Sequence, residues 1–468
     1  MAFTTAAFKV DEASLPEGAG ASALVDFFRC QPSYDIFDVA AGRSARKGYF
    51  AFADAVCYGR LAGAHPSFRV DDAVPRATAA VGTRVCLPFD LSEVVHDLRD
   101  EQYCAHPSRW IERLSSASVA RGVYYFLRPV LAVAIRKHLQ RIRLSGWEQI
   151  TFPRWPVDVT VETLMESALA TLLRAGHAKR IPFVWFWPDG AESCAVVTHD
   201  VEGPDGHRFC APLMDIDESH GIRTSFQLIP EMSEAAWHSL AEPIRARGFE
   251  VNLHDLNHDG YLFHNRREFL KRAARINAYA RQFRCRGFRS GAMYRTQEWY
   301  NAFDFSFDMS VPNVAHMEPQ RGGCCTVMPY FIGSLVELPL TTIQDYSLFH
   351  ILGDYSIAVW KRQIAEITSR NGLMMFLTHP DYLMDLRAQA VYDALMSHLR
   401  ELRQERNIWS ALPSEVDTWW RQRSGMTVEH DAQGWRVAGE GSERARVAFA
   451  TLEDNKLVYR LADAGSRQ

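Results

Sequence analysis

Several features that mark other protein classes are scarce in this chain of 468 residues. It has nine cysteines, an odd number, and only Cys324 and Cys325 are close neighbours. Neither a disulfide ladder nor a CxxC zinc site is written in that spacing, which excludes a small disulfide-stapled fold. The GGCC segment reads as a turn carrying two ordinary thiols. The longest apolar runs, Val130 to Ile135 and Ile181 to Trp187, are far too short to cross a bilayer. The opening MAFTTAAFKVDEASLPEG has no basic start followed by an apolar stretch, so it does not read as a secretory leader. Neither sign of charge dominates, with 52 Lys and Arg against 56 Asp and Glu. A nucleic-acid binder would need a basic face to neutralise phosphates, so that partner is not expected. There is no internal repeat and no low-complexity segment. The expectation is a cytoplasmic protein with reduced thiols.

What is present fits two large folded units and a small addition. Residues 1–180 read as a mixed α/β region. They hold strand-like pieces at Tyr49 to Tyr58 and Arg84 to Pro88 and a helix at Leu91 to Arg99. A longer helical segment runs from Val119 to Leu144, and its basic face (Arg136, Lys137, Arg141, Arg143) reads as solvated rather than lying on a membrane. An aromatic connector, FPRWPVD (Phe152 to Asp158), leads to a helix over Val161 to Ala175. From residue 181 to 424 short β-like runs alternate with amphipathic helices. The strand candidates are Ala195–Thr198, Thr224–Ile229, Phe249–Leu253, Gly287–Arg289, Ser306–Met309, Leu335–Leu340 and Leu373–Leu377. Arg266 to Phe283 reads as a helix with Phe269, Leu270, Ala273, Ile276 and Ala280 on one face. Such alternation predicts an α/β fold, a distorted barrel of about seven parallel strands. Residues 425–468 read as two hairpins, with turns at Asp431 to Gly434 and Glu453 to Asn455, forming a small β appendage.

The polar residues fall where such a barrel places its chemistry, at the C-terminal ends of strands. AVVTHDVE ends in Asp200 and Glu202, FEVNLHDLNHDG in His254 and His258, and LMMFLTHPDY in His379. GFRSG delivers Arg289 and SFDMS delivers Asp308. Singly, each has a plain explanation: a helix cap, a loop histidine or a surface ion pair. Their joint placement on several strand ends points to one site.

This ordered set resembles the polysaccharide deacetylase family, also known as the NodB-homology or carbohydrate esterase four family, over roughly Ile181 to Trp420. THDVEG is similar to its first motif, HDLNH to its HxxxH metal pair, GFRSG to its arginine motif, FDMS to its YDSS motif and LTHP to its last. The resemblance implies Asp200 as the base, Glu202, His254 and His258 as ligands of a divalent metal, zinc by preference, and Arg289 as the tether of Asp200. It implies Asp308 as the residue that tunes the acid and His379 as the acid itself. The implied reaction is N-deacetylation of an N-acylated sugar or glycan precursor in cell-surface glycan synthesis. Three departures stand out: the spaced Asp-Val-Glu in place of an adjacent acid pair, Asp255 after the first histidine, and Ser290-Gly291 where the third motif has proline. Tyr294 and Trp299, with Tyr261 and Tyr330, are candidates to stack on sugar rings. Two further readings remain: a metal-independent amidohydrolase of a non-sugar amide, similar to allantoinases, and a catalytically inactive glycan-binding barrel. Oligomeric state is not written in the sequence.

Overall fold

The computed structural model describes residues 22–462, apart from 106–143, residue 433 and short stretches between 64 and 83. The basic helical segment expected at 119–144 lies outside the described residues except at its last position. Near the N-terminus a short helix α1 (Ala23–Phe28) precedes a hairpin of β1 (Gly48–Phe52) and β2 (Ala55–Gly59), and then α2 (Leu91–Arg99). Asp90 starts α2 by accepting hydrogen bonds from the backbone N–H groups of Ser92 and Glu93. The connector runs into α3 (Thr160–Arg174) and is held from both sides. Asp158 N–H donates to Asn313 Oδ1, and Gln363 Nε2 donates to the Pro156 carbonyl.

After β3 (Ile181–Val184) the alternation begins. Its members are β4 (Cys194–Val201), α4 (Pro204–Ser219), β5 (Ser225–Leu228), α5 (Glu234–Ala246), β6 (Glu250–His254), α6 (Arg266–Phe283) and β7 (Gly287–Arg289). They continue as β8 (Phe307–Asp308), β9 (Tyr330–Ile332), β10 (Leu335–Glu337), α7 (Ala358–Thr368), β11 (Leu373–Thr378), α8 (Leu386–Glu405), β12 (Trp409–Ser410) and α9 (Pro413–Ser424). All seven expected segments contain strands. They lie in one curled sheet of order β9-β10-β8-β7-β6-β5-β4-β11, with β12 also on β4. Every ladder in it is parallel except β9 with β10, and β9 was not foreseen.

Among the described residues the sheet does not close through a strand ladder, so the expected barrel is a curled, open one. The chain after β10 instead reaches β11 through two threonines. The Thr341 hydroxyl donates to the Leu373 carbonyl and accepts from Met375 N–H, and Thr342 donates to the Met375 carbonyl through its amide and its hydroxyl. Helices cover the outer face because their apolar residues recur on one side. α6 buries Phe269, Ala273, Ile276, Ala280 and Phe283, and Asn265 caps it through Glu268 N–H. Leu270, expected on that buried face, is instead exposed. It sits about 100° round the helix from Phe269, off the stripe that the sheet covers.

The tail forms the two expected hairpins, β13 (Thr427–Asp431) with β14 (Gly434–Ala438) and β15 (Val447–Glu453) with β16 (Lys456–Leu461). β15 also pairs antiparallel with β3, Val447 opposite Val184 and Ala450 opposite Ile181, so this hairpin is built into a sheet with the chain that precedes β4. Arg423 of α9, fully buried, donates to the carbonyls of Phe27, Phe28, Val184 and Trp185 and ties α1 and β3 to the same core.

Candidate active site

β4, β5, β6, β7 and β11 run in one direction, so their C-terminal ends present side chains at a single end of the sheet. Asp200 is the penultimate residue of β4, and Glu202 stands just beyond it. Asp200 is buried, and its Oδ1 accepts from Arg289 Nη1 at 3.1 Å. Arg289, the last residue of β7, is held by two further bonds, to Thr198 Oγ1 at 2.7 Å and the Met309 carbonyl at 3.0 Å. Three anchors, two on β4 and one just beyond β8, leave the guanidinium one orientation, so Asp200 has a fixed partner.

His254 ends β6. Its Nδ1 lies 3.2 Å from the Arg289 carbonyl, which can only accept, so that nitrogen is the donor and Nε2 is the one turned to the site. Nε2 is buried, and 3.7 Å separates it from Glu202 Oε1, too far for a hydrogen bond. His258 Nε2 stands 2.9 Å from the same oxygen. The two histidines do not lie on a helix. Asp255 and His258 both take positive φ, 54° and 56°, and the tight loop brings the rings to 5.0 Å between centroids. Asp255 holds the loop: its amide donates to the Arg289 carbonyl, and its carboxylate accepts from Leu256 N–H and Gly291 N–H. Glycine is required at 291, because a Cβ there would lie 2.4 Å from Asp255 Oδ2 and 2.9 Å from His258 Cδ2. The departures at 255 and 291 are thus two halves of one contact.

Glu202, His254 and His258 offer one donor atom each, all within 4.8 Å of one another. Two imidazoles and a carboxylate at that spacing, one imidazole nitrogen buried without a hydrogen-bond partner, fit a divalent cation. Burial raises the Glu202 carboxyl, but His258, His254 and His379 outweigh it and hold the group well below the usual carboxylate range.

His379 follows β11. Asp345 grips it twice, accepting from its Nδ1 at 2.7 Å and from its backbone N–H at 2.7 Å. Nε2 then points into the site, 3.8 Å from Glu202 Oε1. Burial would lower the imidazole, yet Asp345, Glu202 and Asp200 push it up to about 10. The carboxylate on the acid is therefore Asp345, not Asp308. Asp308 spends its oxygens on Ser310, accepting from its amide and hydroxyl, and stands opposite Glu337 across the β8–β10 ladder. Burial, then the Asp308 charge, raises Glu337 well above the usual carboxylate range.

Among the aromatic candidates, Tyr330 and Tyr294 are buried, and Trp299 packs on Phe263 and Phe269 in the outer layer. Tyr261 is half-buried beside His264. The aromatic side chain against the acid is Tyr382, 5.0 Å from the His379 ring, with Tyr346 beyond it. Asp345 and Tyr382 were missed; Asp345 follows Thr341-Thr342-Ile343-Gln344 rather than an apolar run. Asp381, also missed, accepts from Gly206 N–H and joins the β11 loop to the start of α4.

Comparison with family models and with curated proteins finds no match. Solved structures do align with about half of the chain. A Mycobacterium smegmatis protein described as a polysaccharide deacetylase aligns at 17% identity and a TM-score of 0.41, covering 51% of this chain and 93% of its own. The Puue allantoinase aligns at 10% identity and 0.39, covering 50% and 92%. A Pseudomonas aeruginosa PAO1 protein, also described as a polysaccharide deacetylase, aligns at 11% and 0.39, covering 50% and 93%.

What this site can do follows from its own side chains. It sets an ion-paired carboxylate, a cation-spaced trio and a protonated imidazole around one small space. Those are the groups that amide hydrolysis asks for: a base for water, an electrophile for the carbonyl oxygen and a proton for the departing nitrogen.

Proposed function

We propose that the protein is a metal-dependent hydrolase that removes the acyl group from an N-acylated sugar, in the synthesis of cell-surface glycan. The observation that carries this reading is the pairing of His379 with Asp345 across the trio from the pairing of Asp200 with Arg289. A binding module needs neither an acid nor a base. Glu202, His254 and His258 hold the cation, and their imidazole-rich set favours zinc. Bound there, a divalent cation supplies a Lewis acid for the acyl oxygen and lowers the pKa of water. Asp200 accepts the proton of the attacking water, and Arg289 keeps its carboxylate aimed. His379, protonated through neutral pH, delivers its Nε2 proton to the leaving amine and so converts a poor leaving group into a neutral one. Asp345 holds the Nδ1 side and fixes which nitrogen faces the substrate.

The test is metal content by elemental analysis, paired with acetate release from N-acetylated sugars. Wild type is expected to hold about one equivalent of zinc or a similar ion, lost in the His254→Ala, His258→Ala double variant together with turnover. Wild type that stays metal-free when zinc is supplied would overturn the role of the trio.

A further inference from the structure

Five large apolar side chains are exposed among the described residues: Val39, Leu270, Met384, Leu386 and Leu461. Three of them share one end of the molecule. β6 and β11 deliver His254 and His379 at their C-terminal ends, so the helices that follow, α6 and α8, both start at the site end of the sheet. Leu270 lies in the second turn of α6, 45% exposed. Met384 and Leu386 lie at the start of α8, 44% and 79% exposed. The strand order separates β6 from β11 by β5 and β4, so these apolar side chains stand on two flanks of the mouth of the site.

Cations accompany them on both flanks. Arg266 and Arg267 open α6, are exposed, and make no ion pair among the described residues. The helix itself gives no reason for them, because the positive end of its dipole disfavours cations in the first turn. On the other flank Arg387 is exposed, with its guanidinium over the Tyr355 ring. Asp385, the one carboxylate between Met384 and Leu386, is engaged in capping α8 through Arg387 N–H and Ala388 N–H.

We infer that this rim docks on an anionic lipid surface, with Leu270 on one flank and Met384 and Leu386 on the other entering the headgroup layer and the arginines meeting lipid phosphates. Single apolar side chains, each beside arginine and set apart across a polar mouth, form no groove for a peptide or a helix. They do match an interface that is apolar below and anionic at its surface. No described helix is long and apolar enough to cross a membrane, so the contact is peripheral. Docked this way, the site faces the bilayer and meets sugars carried at headgroup height. That orientation rests on the proposed site, but the docking does not require that site to be active.

The experiment is sedimentation of the full chain with vesicles, either phosphatidylcholine alone or with about one third phosphatidylglycerol. The wild-type protein is expected to sediment with the anionic vesicles only, and to be released at about 0.5 M salt as the Debye length shrinks. Met384→Ser with Leu386→Ser, and separately Arg266→Glu with Arg267→Glu, are each expected to weaken binding about tenfold or more. Leu461→Ser, away from the rim, should leave it unchanged. Melting temperatures within a few degrees of wild type exclude misfolding, because all these side chains are exposed. No sedimentation of the wild type, equal sedimentation with neutral vesicles, or undiminished binding of both rim variants would overturn the proposal. Sedimentation is read without turnover, and turnover of a water-soluble sugar is read without vesicles, so either reading can fail while the other stands.

Discussion

Replacing Asp345 with asparagine keeps the size of the side chain on His379 and removes its charge. In the wild type, burial pulls the imidazole down while Asp345, then Glu202 and Asp200, carry it up to about 10. A cation held by Glu202 offsets much of what that carboxylate contributes, which leaves Asp345 as the main support of the protonated ring. Without it, burial acts unopposed and the imidazole should fall below its ordinary value near 6.5. A fall from about 10 to below 6.5 corresponds to a loss of about 5 kcal/mol of preference for the protonated ring. The alkaline limb of kcat/KM for an N-acetylated sugar should therefore move down by more than about three pH units, with a loss of about 100-fold at pH 8. An aryl acetate, whose leaving group needs no proton, should lose far less. The linkage to folding has the same origin. A pKa raised on folding stabilises the protein below about 6.5, and that stabilisation fades as pH rises through about 10. Urea titrations of wild type across that window should show the decline, and Asp345→Asn should lack it. An unchanged alkaline limb, or equal losses on amide and aryl ester, would refute the assignment of Asp345 and His379 to the leaving-group proton.

Gly291→Ala should push Asp255 and the His258 ring aside and lower cation affinity about 10- to 100-fold, measured by titration with a metal indicator. Glu337→Gln should be nearly neutral in melting temperature, because burial and the Asp308 charge already disfavour the ionised carboxyl that the amide replaces. Glu337→Leu should cost about 1–3 kcal/mol by leaving Val311 N–H without its acceptor, read by chemical denaturation. Arg289→Lys cannot reach Thr198, Asp200 and Met309 together. It should lower kcat about 100-fold while metal content stays at the wild-type value.

Much of the site could be read from the sequence because parallel strands announce themselves twice, as apolar runs and by the polar residue where each run stops. Asp200, Arg289, His254 and His379 were found that way. The bounds of α6 were found as well, since its apolar stripe is a local signal. What local pattern could not supply was the neighbour. Asp308 ends an apolar run as convincingly as His379 does, but β8 pairs with β10, so its side chain meets Glu337, whereas His379 follows β11 at the other end of the strand order. Asp345 hid beyond an irregular stretch, Leu338 to Gln344, whose threonines serve the gap between β10 and β11 rather than a ladder of their own. The aromatic candidates failed for a related reason. A ring near a motif in sequence is as often needed by the helix layer, which is where Trp299 lies.

The ladder between β3 and β15 has a consequence for how the chain is made. Its partners lie about 260 residues apart, so on a ribosome β3 emerges long before the strand that completes its sheet. Until β15 arrives, β3 offers an unpaired edge to any passing strand. Shortened products that stop before Val447 should therefore gather in inclusion bodies, and supplying the missing hairpin as a separate peptide should draw them back into solution.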